Sequence, residues 1–439
     1  MINFFPEIVR HQKQGKVIGV YSICSSNQFV IEAAMLQAKK DGSAVLIEPT
    51  VNQVNQFGGY TGNTPSQFVS QIKETANDMT FPFDRVVLGG DHLGPNPWKK
   101  APAEQAMEKS RNLVEAYVLS GFRKIHLDTS IRCADDPGKP HTPMDDAIVA
   151  RRAVDLCKIA EATARKSRGE SALPVYVIGT EVPVPGGVEG GLEAVEVTTV
   201  EAAKQTIEVT RDAFLQAGLE DAWNRVIATV VQPGVEFGDT SVKSYNPAEA
   251  EALSSFIETV DGIVFEAHST DYQREADLQR LTADHFAILK VGPWLTYAFR
   301  EAVFALAITE QEWLESRKGV SLSHVRRVLE DIMLEKSEYW EGYYHGTAFD
   351  RQFARKYSYS DRSRYYWQNT RVQKALEQLF SNLRKYPPPL TILSQFLPNQ
   401  YEAVRGGALA RTPEALVHHK IMEVTGIYSR ATGFRELFR

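Results

Sequence analysis

Cysteine is scarce: the 439 residues contain only Cys24, Cys133 and Cys157, with no CxxC pair. That excludes an even disulfide framework and points to a reducing, cytoplasmic setting. Long apolar runs are missing too. No stretch of about 18 uncharged apolar residues occurs and residues 1–16 hold no extended hydrophobic segment, so neither a membrane span nor a secretory leader is expected. Basic runs are also absent. The 49 Lys and Arg are scattered among 55 Asp and Glu for a net charge of −6, which argues against nucleic acid and against a polybasic membrane contact. The chain carries no GxxxxGK[ST] loop and no GxGxxG fingerprint, so no cradle for ATP or NAD is legible.

Short apolar runs rich in Val and Ile are present, at 17–23, 44–47, 86–88, 124–127, 175–178, 225–231, 263–265 and 286–291. Each is apolar almost throughout, which suits strands buried on both faces of a parallel sheet. Helical segments alternate with them. Residues 26–40 follow a Ser cap and carry Phe29, Val30, Ala33, Ala34 and Ala38 on a 3.6-residue rhythm; residues 103–120 repeat the pattern. Eight strand-plus-helix units in about 300 residues predict a (β/α)8 barrel over 1–300. An open doubly wound sheet is the competing reading, but it would want a glycine fingerprint after the first strand, where CSSN (24–27) stands. Beyond 300 the strand rhythm stops. Residues 313–340 and 370–383 read as amphipathic helices and Pro387-Pro388-Pro389 as a rigid spacer, giving a helical C-terminal extension over 301–439 packed on the barrel.

Barrel enzymes place their chemistry at the C-terminal ends of the strands, and those ends are polar here. Strand two ends in Glu48, followed by Asn52 and Gln53. Strand three ends in Asp91 and His92, strand four in Asp128, strand five in Glu181, strand six in Gln232, strand seven in His268, Ser269 and Asp271, and strand eight in Lys290 and Gly292. Two histidines and a glutamate from three strand ends, His92, Glu181 and His268, suit a divalent metal, most simply Zn²⁺. Asp91 is expected to point away from its neighbour His92 and to act as a general base. Ser269, Thr270, Lys290 and Gly292 are placed to contact a phosphate; Lys290 is alternatively a Schiff-base lysine or an ordinary strand-end lysine. The segment 357–367, dense in Arg and aromatics, reads as a lid, a subunit contact or an arginine clamp on a sugar phosphate through Arg362.

The motifs NQVNQFGGYTG (52–62), GGDHLGP (89–95), KIHLD (124–128), IGTEVPVPGG (178–187), VVQPGVEF (230–237), FEAHSTDYQ (265–273), HFAILKVGP (285–293) and YSYSDR (357–362) resemble the Z-subunit family of D-tagatose-1,6-bisphosphate aldolase, from about residue 7 to about residue 425. The resemblance implies a barrel related to class II, metal-dependent aldolases. Some members assist a separate catalytic aldolase subunit, some resemble D-tagatose 6-phosphate 4-epimerases, and some carry an old kinase label. It implies Asp91 as general base and His92 as metal ligand, with Glu181 and His268 at later metal positions. One departure stands out: CSSNQ (24–28) occupies the place where many relatives read Cys-Ser-Ala-His-Pro, so Asn27 replaces a histidine.

Two functions follow as expectations. The first is a metal-dependent isomerase of carbohydrate metabolism that converts D-tagatose 6-phosphate to D-fructose 6-phosphate, in galactitol and tagatose catabolism. The C4 hydrogen of a 2-ketose is not adjacent to the carbonyl, so the route without a nicotinamide is retro-aldol cleavage of C3–C4, rotation and re-addition. An enolate with a pKa of about 20 lies roughly 13 units above neutrality, about 18 kcal/mol, which calls for a metal rather than carboxylates alone. Asp91 would deprotonate the C4 hydroxyl, and Asp128, Asp271 or Glu48 would serve the opposite face. The second function is a non-catalytic Z subunit that stabilises and activates a class II aldolase. Self-association as a homo-oligomer is left open.

Overall fold

The computed structural model describes residues 3–138, 143–169, 173–179 and 195–439. Eight parallel strands close into a barrel: β1 (Val20–Ile23), β2 (Val45–Ile47), β3 (Val86–Leu93), β4 (Lys124–Leu127), β5 (Val175–Ile178), β6 (Val226–Val231), β7 (Val264–Ala267) and β8 (Phe286–Val291). Each neighbours the next and β8 pairs with β1, with Val20 opposite Ile288 and Ile23 opposite Val291. All residues of these strands are buried, as expected for a parallel sheet covered by helices. The expected run at 86–88 continues as strand through Leu93, which carries Asp91 and His92 on the strand itself.

Helices return the chain between strands, and caps fix their starts. Gln28–Asp41 begins at Asn27, not at Ser26: the Asn27 side chain accepts from the Val30 N–H. Pro65–Asp78 starts with a capping box between Thr64 and Gln67. The other end of the barrel is plugged by Phe4, Phe5, Ile8 and Val9 of the N-terminal helix, which pack with Val20, Leu46, Val87 and Phe434.

After β8 the chain is helical. The single helix expected over 313–340 is two, Pro293–Leu314 and Val325–Glu335, because Gly319 takes a left-handed conformation between them (φ +77°). The 300/301 boundary falls inside Pro293–Leu314. That helix lies outside the last one, Pro413–Thr432, which packs against Gln28–Asp41, Glu275–Ala283 and β1 and so fills the eighth place in the ring around the barrel. Leu416, Val417, Ile421, Val424 and Tyr428 are buried there, and the Tyr428 hydroxyl donates to the Thr270 carbonyl at 2.8 Å. The C-terminal residues thus complete the barrel itself. Among the described residues no helix is long and apolar enough to cross a membrane, and the three cysteines are unpaired thiols.

Candidate active site

Strand β3 does not alternate where it matters. Its register against β4 shifts between Gly90 and Leu93, and His92 has a left-handed backbone (φ +53°). This bulge turns the side chains of both Asp91 and His92 to one cavity, whereas regular pleating would send them to opposite faces. Glycine makes the arrangement fit. A Cβ on Gly89 would stand 2.3 Å from the Glu48 carboxylate, and one on Gly94 would overlap the Asp128 carbonyl at 1.6 Å. His92 Nδ1 lies 2.8 Å from Asp128 Oδ2, a pairing that orients the ring. Burial opposes it, but Asp91 and Asp128 hold the His92 imidazolium above the usual histidine range, and His92 in turn brings Asp128 down to about 2.

Beneath this pair the barrel interior is charged. Glu48 receives the Ser22 hydroxyl, the Lys124 ammonium at 2.7 Å and the Lys290 ammonium at 2.9 Å. Lys290 also lies 3.0 Å from Asp91 Oδ1 and 3.8 Å from Glu266, and Lys124 lies 2.6 Å from Glu266. Against the cost of burial, these ammoniums hold Asp91 and Glu266 well below the ordinary carboxylate range. Lys290 is therefore committed to carboxylates inside the barrel, and the expected phosphate contact through it is not what the geometry offers.

Among the described residues Asp91, His126, Glu266 and His268 gather as potential metal donors, one atom of each within 4.8 Å of the others and all four buried. Two imidazoles and two carboxylates suit a divalent cation such as Zn²⁺. Two observations support the fit. His126 Nε2 is buried without a hydrogen-bond partner, and burial pushes His268 down to about 4, so that it is the neutral, ligating form at pH 7. Of the ligands expected from sequence only His268 belongs to this set. His92 stands at its edge, its ring centroid 4.9 Å from that of His268, and Glu181 lies outside the described residues. His126 and Glu266 went unassigned although a signal existed: Lys124 and His126, and Glu266 and His268, are polar residues two apart in otherwise apolar strands, hence on one inward face.

The cavity above is lined by Asn52, Gln53, Ser269, Asp271, Lys290 and Gly292 among the expected residues, and by Cys24, Thr50, Tyr60, Phe237, Arg364 and Tyr365 in addition. Gln53 bridges two loops, its Nε2 donating to the Cys24 carbonyl and its Oε1 accepting from the Thr50 N–H. Asp271 accepts the N–H groups of Gly292 and Trp294, so the amide of Gly292, expected to contact a phosphate, is already bound to a carboxylate; burial lifts that carboxylate to about 6. Asp128 and Glu48 do not line the cavity. Gln232 does not either: its side chain accepts from the Gly234 and Val235 N–H groups and holds a turn. Arg362 is buried behind the wall, and it is Arg364, two residues on, that reaches the cavity. Asn27, where the resemblance implies a histidine, caps a helix and does not line the cavity.

Among solved structures the chain is similar to a probable tagatose 6 phosphate kinase from Sinorhizobium meliloti 1021, with 44% identity and a TM-score of 0.85 over 94% of this chain and 100% of that one. Weaker likenesses join it to the fructuronate-tagaturonate epimerase UxaE from Cohnella laeviribosi (12% identity, TM-score 0.47, 95% of this chain and 81% of that one) and to the YdjI aldolase from Escherichia coli K12 (13%, 0.41, 69% and 86%). A family model described as D-tagatose-1,6-bisphosphate aldolase subunit GatZ/KbaZ-like matches residues 5–433, and the chain belongs to that family.

Proposed function

We propose that the protein is a metal-dependent ketose-phosphate 4-epimerase interconverting D-tagatose 6-phosphate and D-fructose 6-phosphate through cleavage and re-formation of the C3–C4 bond. The observation that carries this reading is the buried ionisable cluster Glu48, Asp91, Lys124, His126, Glu266, His268 and Lys290, opening on a cavity. Burying that many charged and polar groups costs stability, and a scaffold protein gains nothing from it.

Asp91 is ionised at neutral pH. Its Oδ1 faces Lys290 and His126, while Oδ2 is on the side of Cys24 and His92, both of which line the cavity. Oδ2 accepts the proton of the C4 hydroxyl as C3–C4 breaks, leaving an aldehyde and a three-carbon enediolate. The aldehyde turns, the bond re-forms on its other face, and the new C4 alkoxide takes a proton from the opposite wall. Of the three carboxylates expected to serve that second face, Asp271 alone lines the cavity, and its elevation to about 6 lets it carry a proton near neutrality. A divalent cation held by His126, Glu266 and His268, with Asp91 beside them, would stabilise the negative charge that develops on the ketose oxygens.

The test is turnover of tagatose 6-phosphate by purified protein without any nicotinamide. Asp91→Asn is expected to keep fold and ligand binding and to lose about 10²- to 10⁴-fold in rate. Solvent deuterium stays out of C4 because that carbon keeps its hydrogen through the aldehyde; deuterium appearing at C4 would refute the route.

A second reading is supported by a different surface. Phe349, Phe353 and Tyr357 lie one turn apart along helix Ala348–Tyr357 and are 72%, 43% and 41% exposed, an aromatic face suited to a partner chain. If the purified protein converts no sugar phosphate but raises the activity of an added class II aldolase catalytic subunit, the accessory role replaces the enzyme.

A further inference from the structure

The short turn Arg362–Tyr365 presents two guanidiniums that no carboxylate pairs with directly; Asp361 and Asp271 act on Arg364 only through space. Among the described residues neither Arg362 nor Arg364 has an acidic oxygen within 4 Å. Arg364 donates to the Ser360 and Asp361 carbonyls and, through a second nitrogen, to the Tyr365 hydroxyl oxygen at 3.0 Å. Arg362 is 3% exposed; it donates to the Tyr339 carbonyl at 3.0 Å, its Nε has no partner, and its guanidinium lies over the Tyr343 ring. The contrast with the rest of the molecule is sharp. Among the described residues the buried arginines other than Arg362 each meet an acid: Arg152 with Asp136 at 2.5 Å, Arg300 with Asp361 at 3.3 Å, Arg355 with Glu330 at 2.7 Å. Asp361, the nearest acid in sequence, is taken up by Arg300, Thr296 and Ser363.

A buried guanidinium and a partly buried one, with no carboxylate in contact with either, gain from a ligand that supplies a counter-charge. They meet where a ligand can reach, since Arg364 and Tyr365 both line the cavity over Asp91 and His92. Tyr365 is held firmly there, its ring stacked on Tyr339 at 4.7 Å and edge-on to Tyr60 at 4.6 Å. The two guanidiniums outweigh burial and bring its phenol below the ordinary tyrosine range, an effect that an approaching anion would oppose. Two of the competing phosphate sites in the cavity are spoken for. Lys290 is neutralised by Glu48 and Asp91, and the amides at the start of helix Pro293–Leu314 are bound to Asp271.

We propose that Arg364, supported by Tyr365 and Arg362, is the anion-binding subsite of the cavity and receives the phosphate of a phosphorylated ketose. The proposal rests on the sugar-phosphate reading for the identity of the ligand, whereas the charge argument is independent of the reaction. It also gives the C-terminal extension a part in binding: the barrel supplies the reacting groups, and the extension supplies the grip on the phosphate, by the planar, forked recognition at which arginine excels.

The experiment is isothermal titration of full-length protein with inorganic phosphate, D-fructose 6-phosphate and D-fructose. Arg364→Met is expected to weaken the first two by about 10- to 100-fold, the usual loss for a charge-assisted contact, and to leave D-fructose within about 2-fold. If that variant does not fold, Arg364→Lys keeps the charge without the fork, and an intermediate loss confined to the two phosphate ligands is expected. Equal weakening of D-fructose, unchanged phosphate binding, or no phosphate binding by the wild type each overturns the subsite. Turnover separates this outcome from the epimerase reading. A wild type that converts nothing, with phosphate binding still lost in Arg364→Met, removes the epimerase and keeps the subsite; a working epimerase whose Arg364→Met variant binds phosphate normally removes the subsite alone.

Discussion

Lys290→Met tests the charge arrangement inside the barrel. The ammonium is 2.9 Å from Glu48, 3.0 Å from Asp91 and 3.8 Å from Glu266, and is buried. Removing it leaves Lys124 to balance Glu48 and Glu266, and leaves Asp91 with imidazoles only. Breaking a buried ion pair by deleting one partner costs about 3–5 kcal/mol. With an unfolding entropy of about 2.1 cal/mol/K per residue, roughly 0.9 kcal/mol/K over 439 residues, the melting temperature falls by about 3–5 °C. The measurement is made in EDTA, so that a divalent cation does not substitute for the lost charge. The sign of the pH dependence follows from the depressed carboxylates. Asp91 and Glu266 contribute stability that is present above their unfolded pKa of about 4 and lost as pH falls through the lower folded value. Without Lys290 part of that depression disappears. The deficit of the variant is therefore full at pH 7–8 and narrows below about pH 5, where protonation relieves the crowded carboxylates. A variant that melts within about 1 °C of the wild type at pH 8, and whose chief defect is weaker binding of sugar phosphate than of sugar, would show that Lys290 is a phosphate clamp and that this reasoning is wrong.

Three further outcomes are expected. His126→Ala and His268→Ala lower the divalent metal retained per chain by at least 10-fold, the scale on which ligand loss acts; elemental analysis showing full metal in His126→Ala removes it from the donor set. Asn27→His, which introduces the residue the resemblance implies there, costs about 0.5–2 kcal/mol through loss of the helix cap and leaves turnover within a few-fold, because position 27 is off the cavity; a large change in substrate preference at unchanged stability would contradict this. Truncation after residue 412 removes the helix that covers β1 and exposes its buried face. The product is expected to be aggregated or molten by circular dichroism, and a soluble, cooperatively melting 1–412 fragment would show that the last helix is dispensable to the barrel.

The barrel was legible because it rests on local information. Eight apolar runs separated by helical segments are consistent with one closed parallel architecture, and strands β4, β5 and β8 appear at the residues the runs mark. Polar residues at the strand ends were legible for the same reason, since an inward carboxylate or histidine interrupts an apolar run. The alternation Lys124–His126 and Glu266–His268 was there to be used as well. Other features depend on contacts distant in sequence. The bulge that turns Asp91 and His92 into one cavity is a register shift against β4, and Lys290 becomes a counter-ion only because β2, β3 and β7 bring Glu48, Asp91 and Glu266 around it. Arg362 and Arg364 are chemically equivalent in the sequence, and the turn that carries them decides which one faces ligand. The last helix reads as part of an appendage until its packing against Gln28–Asp41 and Glu275–Ala283 shows that it closes the ring. Residue type and periodicity determined the architecture and the stock of reactive groups; their pairing, and hence their charge states and roles, was decided by tertiary contacts, because the energy of a buried charge is set by its neighbours in space and not by those in the chain.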